Sequence, residues 1–517
     1  MRSTISALYK LSFTHIRLSF IGRFIHTYNS TTHIPFQTRV PQQCIRLSNL
    51  PLLSSIVKLV QNDKPLQDYT ILNIQHQLGD VTAQVEASIV LGALPSNIYF
   101  LPPPYTHHKE FELFVIKNYG VPKENFFQSS SYRLRYNYDK YRLLHVIFML
   151  NRMMKMQLMN KRVKHNNLLV LDDGGCFSEA LATLCDIDNG KLDPNELVEN
   201  LPLSLKLQQS DATSLISYLR SIEVRLVEQT SRGLFKYVDQ PKIALALHQL
   251  GISIIDVASS EPKKRLEPPI IAEATLNMLS YLFYDAPLYL RIPKPHKLQQ
   301  CLLLGYGAIG QAVGYAFTHK GDLGMFSKSS VKVWDRDIAK RKLAEDDGFE
   351  IFDQWDNKEE FDYIIGCAGR CSLPISALPL LRDNSYLISV SSATIEFPFH
   401  EMVECALFNG NYTKMSISLC DRQVDELDNE DIHRNIKFQI ENGRILTVVN
   451  GGMPITFLGL LNPTIPEKFD LTVSCMIAAS IQAVKTNKET VDQNRIKPLD
   501  STYSKLICNW FDTNKIL

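Results

Sequence analysis

The segment from Gln299 to Phe317, QQCLLLGYGAIGQAVGYAF, limits what this chain can fold into more than any other. An apolar, strand-like run stops at Gly305-Tyr306-Gly307-Ala308-Ile309-Gly310, and a helix-like run follows. Strand, glycine turn and helix together are the context in which a GxGxxG pattern carries meaning. Gly305 permits the tight turn, Gly307 lets backbone approach a pyrophosphate, and Gly310 lets the helix pack on the strand. The N–H groups of Ala308 and Ile309, at the positive end of the helix, then face the phosphates. The next strand-like run, VKVWDRD, supplies Asp335 to accept from the adenosine ribose hydroxyls. An acid there favours NAD over NADP, whose 2′-phosphate it repels, although Arg336 beside it weakens that preference. NAD is therefore the expected cofactor, and a Rossmann-like domain that binds nothing is the alternative.

The rest of the chain surrounds this unit with more of the same alternation. At 517 residues it is too long for one compact core. DYTILNIQ, NIYFLPPP, NNLLVLDDGG, VRLVEQTSRG and ISIIDVASS read as strands separated by helical patterns, and FDYIIGCAG and NSYLISVSS continue the series after the glycine turn. The alternation predicts an α/β fold with two doubly wound parallel sheets, a substrate-type domain over 63–274 and a Rossmann domain over 275–455. The Pro-punctuated SSEPKKRLEPPIIAEATLNML reads as the hinge between them, and residues 456–517 are expected to return to the first domain or to make an oligomer contact. Residues 1–62 hold no acid before Asp63 but carry Arg2, Lys10, Arg17, Arg23, Arg39, Arg46 and Lys58 among many Ser and Thr. Such a stretch reads either as an organelle-targeting presequence or as a disordered or domain-specific extension.

Composition excludes several classes. A net charge of +1 gives no global pull toward nucleic acid or an anionic membrane. The 10 cysteines, scattered without CxxC pairs, read as reduced thiols rather than a disulfide frame or a zinc site. The expected setting is intracellular: cytoplasmic, or mitochondrial if the leader is a targeting signal.

NNLLVLDDGG raises a sharper question. Two aspartates and two glycines directly behind an apolar strand are either a helix-capping turn or a ligand site at a strand's carboxyl end. In order, VLDDGG, VEQTSRG and LLLGYGAIGQAVG resemble segments of the S-adenosylhomocysteine hydrolase family, over residues from about 70 to about 480. The resemblance implies NAD as a cofactor used catalytically, a nucleoside-type ligand, and a homo-oligomer with neither nucleic acid nor membrane as partner. It implies that the ribose 3′-hydroxyl is oxidised, so that the thiol can leave by elimination.

Residue by residue, the resemblance places the catalytic groups at His76, Asp173, Lys263 (with Lys264 as the rival for the hinge lysine) and Glu267, and cofactor contacts at Thr230 and Ser231. A lysine crowded by other cations deprotonates more readily and can serve as a base, and Lys263 beside Lys264 and Arg265 has that pattern. The chain departs from the family where the substrate-binding glutamate falls on Gln229, a histidine on Ser392, the hinge asparagine on Pro268 and a later His-Pro pair on Asn462-Pro463. These changes leave three readings open: an enzyme of this type with altered or reduced activity, a non-catalytic NAD-binding relative with a regulatory role, and a simple NAD-dependent dehydrogenase.

Overall fold

The computed structural model describes residues 35–127, 131–159, 167–198, 207–296, 299–318, 325–353, 355, 360–391, 393–407, 416–420, 424–441, 443–486 and 495–514. Its strands are β1 (Tyr69–Ile74), β2 (Ile98–Phe100), β3 (Asn167–Asp172), β4 (Val224–Glu228), β5 (Ile254–Asp256), β6 (Cys301–Leu304), β7 (Val331–Trp334), β8 (Glu350–Ile351), β9 (Tyr363–Gly366), β10 (Ser385–Ser389), β11 (Ile417–Leu419), β12 (Ile436–Ile440), β13 (Ile445–Val448) and β14 (Ile496–Pro498).

They form two sheets. The first runs β14-β5-β4-β3-β1-β2, and every neighbouring pair is parallel. β1 is buried at every position, because helices cover both faces of a parallel sheet. The order changes direction between β1 and β3: the chain winds one way to β2 and the other way to β3. Crossovers that diverge like this leave a crevice at the carboxyl ends of the two strands, where open α/β sheets bind ligands.

The second sheet runs β11-β12-β13-β10-β9-β6-β7-β8. Counted from β6, its parallel part has the 3-2-1-4-5-6 order of the dinucleotide-binding Rossmann fold. Its switch point lies between β6 and β9, and the glycine turn follows β6. β12 and β11 extend this sheet antiparallel. The α/β class with two doubly wound domains thus describes the molecule, with an antiparallel edge added on the second sheet. β12 alternates buried and exposed residues because only one of its faces meets the core.

The chain crosses between the sheets twice. The helix Glu261–Tyr284 carries it out of the first, with Pro268 and Pro269 in its interior. Residues 449–469 carry it back to the helix Asp470–Lys485, which packs on β3, β4 and β5 before β14 closes the sheet beside β5. Residues 35–62, read above as part of an extension, belong to the fold. The helix Pro51–Val60 buries Leu52, Leu53, Ile56 and Val57, and Asp470 accepts from the N–H groups of Leu52 and Leu53 at 2.9 Å each. The acid neutralises the exposed donors and positive end of that helix. The remainder of the leader, residues 1–34, lies outside the described residues.

Candidate active site between the two sheets

The turn after β3 answers the question posed by LDDGG. Successive strand residues point to opposite sides, so the two aspartates part company. Asp172 takes the structural role: its carboxylate accepts from the N–H groups of Cys176 at 3.3 Å and Phe177 at 2.9 Å and caps the helix Cys176–Asp188. Glu228, beside it at the end of β4, accepts from the N–H groups of Gly174 at 3.2 Å and Gly175 at 3.0 Å. Gly233 is required here, since a Cβ on it would lie 2.1 Å from the Glu228 carboxyl. Asp173 is left to face the crevice.

There it meets His76, delivered by the loop after β1. His76 Nε2 lies 3.5 Å from Asp173 Oδ2, and His76 Nδ1 lies 2.9 Å from Thr106 Oγ1. With the proton on Nε2, Nε2–H faces the carboxylate and the threonine hydroxyl donates to Nδ1 rather than to the Pro103 carbonyl 3.5 Å away. The imidazole stacks on Phe457 of the return segment, with centroids 4.1 Å apart and planes 15° apart. Burial, and then the charge of Arg142, push His76 down to about 3, so it is neutral at physiological pH. Burial pushes Asp173 up to about 6, against the opposing pull of Lys263. A neutral imidazole beside a carboxyl that titrates near neutrality has the chemistry needed to exchange a proton.

Gln229 Nε2 donates to Asp173 Oδ2 at 3.2 Å. The amide at 229 therefore supplies a donor where a glutamate would have set a second carboxylate against Asp173. Lys263 is buried and bonded to Glu267, which also accepts from Thr472 Oγ1 at 2.7 Å. The expected crowding of Lys263 by cations is not present: Lys264 is exposed, Arg265 turns away to Asp512 at 2.9 Å, and the groups facing Lys263 are Glu267 and Asp173. His76, Asp173, Gln229, Lys263 and Glu267 are thus brought together from the ends of β1, β3 and β4 and from the connecting helix.

Other expected residues have different places. Thr230 caps the helix Ser231–Asp239: its hydroxyl accepts from Gly233 N–H at 3.1 Å and donates to Glu228 at 2.7 Å. Ser231 is exposed at the first turn of that helix. Asn462 is a clamp, accepting from Gly79 N–H at 3.1 Å and donating to the carbonyls of Pro41 and Gln43 at 2.9 Å each. Ser392 lies outside the described residues.

The glycine turn divides its labour. Gly305 has φ +96° and a Cβ on it would lie 2.7 Å from Ala368 Cα, so the turn packs against the end of β9. A Cβ on Gly310 would lie 2.0 Å from the Gly305 carbonyl oxygen, whereas one on Gly307 would meet nothing within 4 Å. Asp335 accepts from the N–H groups of Tyr306 at 2.7 Å and Asp337 at 2.9 Å, and its oxygens keep further lone pairs for a hydroxyl.

Two contacts bridge the halves. Arg370 reaches Asp239 at 2.9 Å and covers the ring of Phe235 at 4.3 Å. Arg135 grips Asp428 through both oxygens at 3.0 Å. Thr106, Gln75 and Phe457 were not singled out from the sequence. Gln75 had a local signal, a polar residue flanking His76 behind an apolar strand, and Phe457 had none. Among the described residues no group of three or more His, Cys, Asp or Glu side chains is arranged to hold a metal ion, and no helix is long and apolar enough to cross a membrane.

No protein-family model and no curated protein matches the sequence. Among solved structures the chain is similar to a D-2-hydroxyisocaproate dehydrogenase, with 16% identity over 61% of this chain and 95% of that one and a TM-score of 0.28. It is also similar to the apo form of the D-mandelate dehydrogenase of Rhodotorula graminis, with 9% identity over 80% and 93% and a TM-score of 0.27. A third, the D-isomer specific 2-hydroxyacid dehydrogenase of Lactobacillus delbrueckii ssp. bulgaricus in its NAD-complexed form, has 14% identity over 53% and 88% and a TM-score of 0.25. Scores this low carry no argument about ligand or reaction. The Rossmann assignment rests on this molecule's own strand order.

Proposed function

We propose that this chain binds NAD at the glycine turn and acts on a nucleoside-type ligand in the crevice, in the manner of S-adenosylhomocysteine hydrolase. The observation that carries the reading is the convergence of His76, Asp173, Gln229 and Lys263 from separate segments at the switch point of the first sheet. The open space over Gly307, the Rossmann strand order and Asp335 at the end of β7 fit a dinucleotide. Bound NAD would supply a hydride acceptor. The chain's own residues manage protons and water. Asp173 is ionised above about pH 6 and accepts a proton. His76, a neutral imidazole with Nε2 3.5 Å away, faces that carboxylate. Lys263, held by Glu267, sets a positive charge beside the carboxylate, and Phe457 and Tyr105 wall off solvent.

A simple NAD-dependent dehydrogenase is the second reading, and the amide at Gln229 favours it. One hydroxyl needs only the His76–Asp173 couple, whereas a ribose diol gains from a further carboxylate. The test is to denature the purified protein, quantify released NAD by mass spectrometry, then add adenosine to the native protein and follow absorbance of reduced nicotinamide. Retained NAD that is reduced by no more than one equivalent per chain supports the first reading. Reduced cofactor accumulating beyond one equivalent, with NAD supplied, supports the second. Bound NAD that adenosine never reduces points to the non-catalytic relative, and absence of NAD binding rejects the proposal.

A further inference from the structure

Three glutamines connect the interior of the helix Val81–Val90 to Asp173. Gln84 Nε2 donates to Gln75 Oε1 at 2.7 Å, Gln75 Nε2 donates to Gln229 Oε1 at 2.9 Å, and Gln229 Nε2 donates to Asp173 Oδ2 at 3.2 Å. The direction of this chain is dictated by its end. An ionised carboxylate can only accept, so Gln229 must turn its N–H to Asp173 and its carbonyl to Gln75. Gln75 must then turn its own N–H to Gln229, and the same requirement passes to Gln84. Aligned donors of this kind polarise one another, by about 10–30% per bond. Gln75 and Gln84 are 4% and 1% exposed, so the start of the chain is shielded from water, while Gln229 at its end is half-buried.

We infer that Gln75 and Gln84 are positioning residues which, through Gln229, stabilise the carboxylate form of Asp173 and keep its free lone pairs aimed at His76. This rests on the reading of Asp173 as the acid–base group. The charges around Asp173 do not settle its state by themselves. Lys263, Arg142 and Arg232 favour the anion, while Glu267 opposes it; Asp172, Glu228 and Tyr105 lie close enough that the charge of Asp173 raises them in turn. Burial opposes it further. The oriented amides are uncharged donors that tip this balance without adding a titrating group.

The experiment is an infrared difference titration of the full-length protein, with Asp173→Asn identifying the band of the protonated Asp173 carboxyl. Gln75→Met and Gln84→Met keep length and burial but break the chain at its middle and its start. Asp173 should titrate a few tenths of a pH unit higher in Gln75→Met, because the variant keeps the Gln229–Asp173 bond and loses only the share of about 10–30% that a polarising neighbour adds to it. It should shift by less, but in the same direction, in Gln84→Met. Circular dichroism reports folding, and if one variant does not fold the other decides. An Asp173 titration that stays put or moves down in a folded variant overturns the inference. This readout needs no turnover, so failure of the enzyme reading in the adenosine assay is seen separately.

Discussion

Gly307 and Gly310 differ by three positions and should fail in opposite ways. In Gly310→Ala the new methyl would start 2.0 Å from the carbonyl oxygen of Gly305, so the first turn of the helix must move away from β6 by about an ångström. Overpacking of this kind costs typically 1–3 kcal/mol, which lowers the melting temperature of a half-molecule of this size by roughly 2–4 °C per kcal/mol. In Gly307→Val nothing lies within 4 Å of the Cβ position, and the folded chain should change by no more than about 0.5 kcal/mol. The valine instead fills the space proposed for the pyrophosphate. Losing even one N–H contact to a charged phosphate is worth about 1.5–3 kcal/mol, so NAD should bind at least about tenfold more weakly. Titration calorimetry with NAD, and thermal melts with and without it, separate the two effects. Wild type freed of NAD should gain stability on adding it back, and Gly307→Val should gain at least about 1.4 kcal/mol less at the same NAD concentration. Wild-type NAD affinity in Gly307→Val, or a melting loss as large as that of Gly310→Ala, would refute the reasoning.

Asp335→Ala should weaken NAD more than NADP in calorimetry, because only NAD benefits from an acid at the ribose, and equal losses count against that role. Burial pushes Asp80 up to about 7, so the native chain binds its proton more tightly than the unfolded chain does. That stabilisation is complete below about pH 4, where both states are protonated, and is lost as pH rises through 7. Asp80→Asn should therefore gain over wild type in denaturant unfolding at pH 8, by about 1.4 kcal/mol for each factor of ten by which folding tightens the proton, and much less at pH 5; an equal difference at both values sinks the assignment. Hydrolysis of S-adenosylhomocysteine by the wild type should be weak or absent in a thiol-release assay, and turnover on the order of 1 s⁻¹ would return the chain to ordinary hydrolases of that type. Gln229→Glu alone should not repair it, because a second carboxylate against Asp173 raises the Asp173 titration, and a large gain in rate would show otherwise.

The parts legible in the sequence were those with a local period. Strand, glycine turn and helix at Cys301–Thr318 can be read from neighbouring residues, and so can the apolar runs of β1 and β3. The two-residue β8 and the three-residue β11 offer too little pattern to read. His76 is a candidate only because several motifs keep a family's order, whereas Asp173 has a local signal in LDDGG that does not say which of the two aspartates faces the crevice. The duty of Asp172 as the helix cap follows from which side of β3 it occupies, and an adjacent Asp-Asp pair does not announce that. Phe457 and Thr472 reach the site by long-range packing, which leaves no trace at their own positions.

β14 pairs with β5 although the whole second sheet lies between them in the chain. On a ribosome adding 5–20 residues per second, roughly tens of seconds pass between the emergence of these two strands. During that interval the outer edge of β5 is a row of unpaired backbone groups, and Asp470 has not yet arrived to cap the helix Pro51–Val60. An open edge beside apolar β4 is a template for pairing with other chains. The Rossmann half is therefore made while the half that carries His76 and Asp173 is still incomplete. Production of soluble protein should depend on slow synthesis or on chaperones that shield β5, and a chain cut before β14 should aggregate.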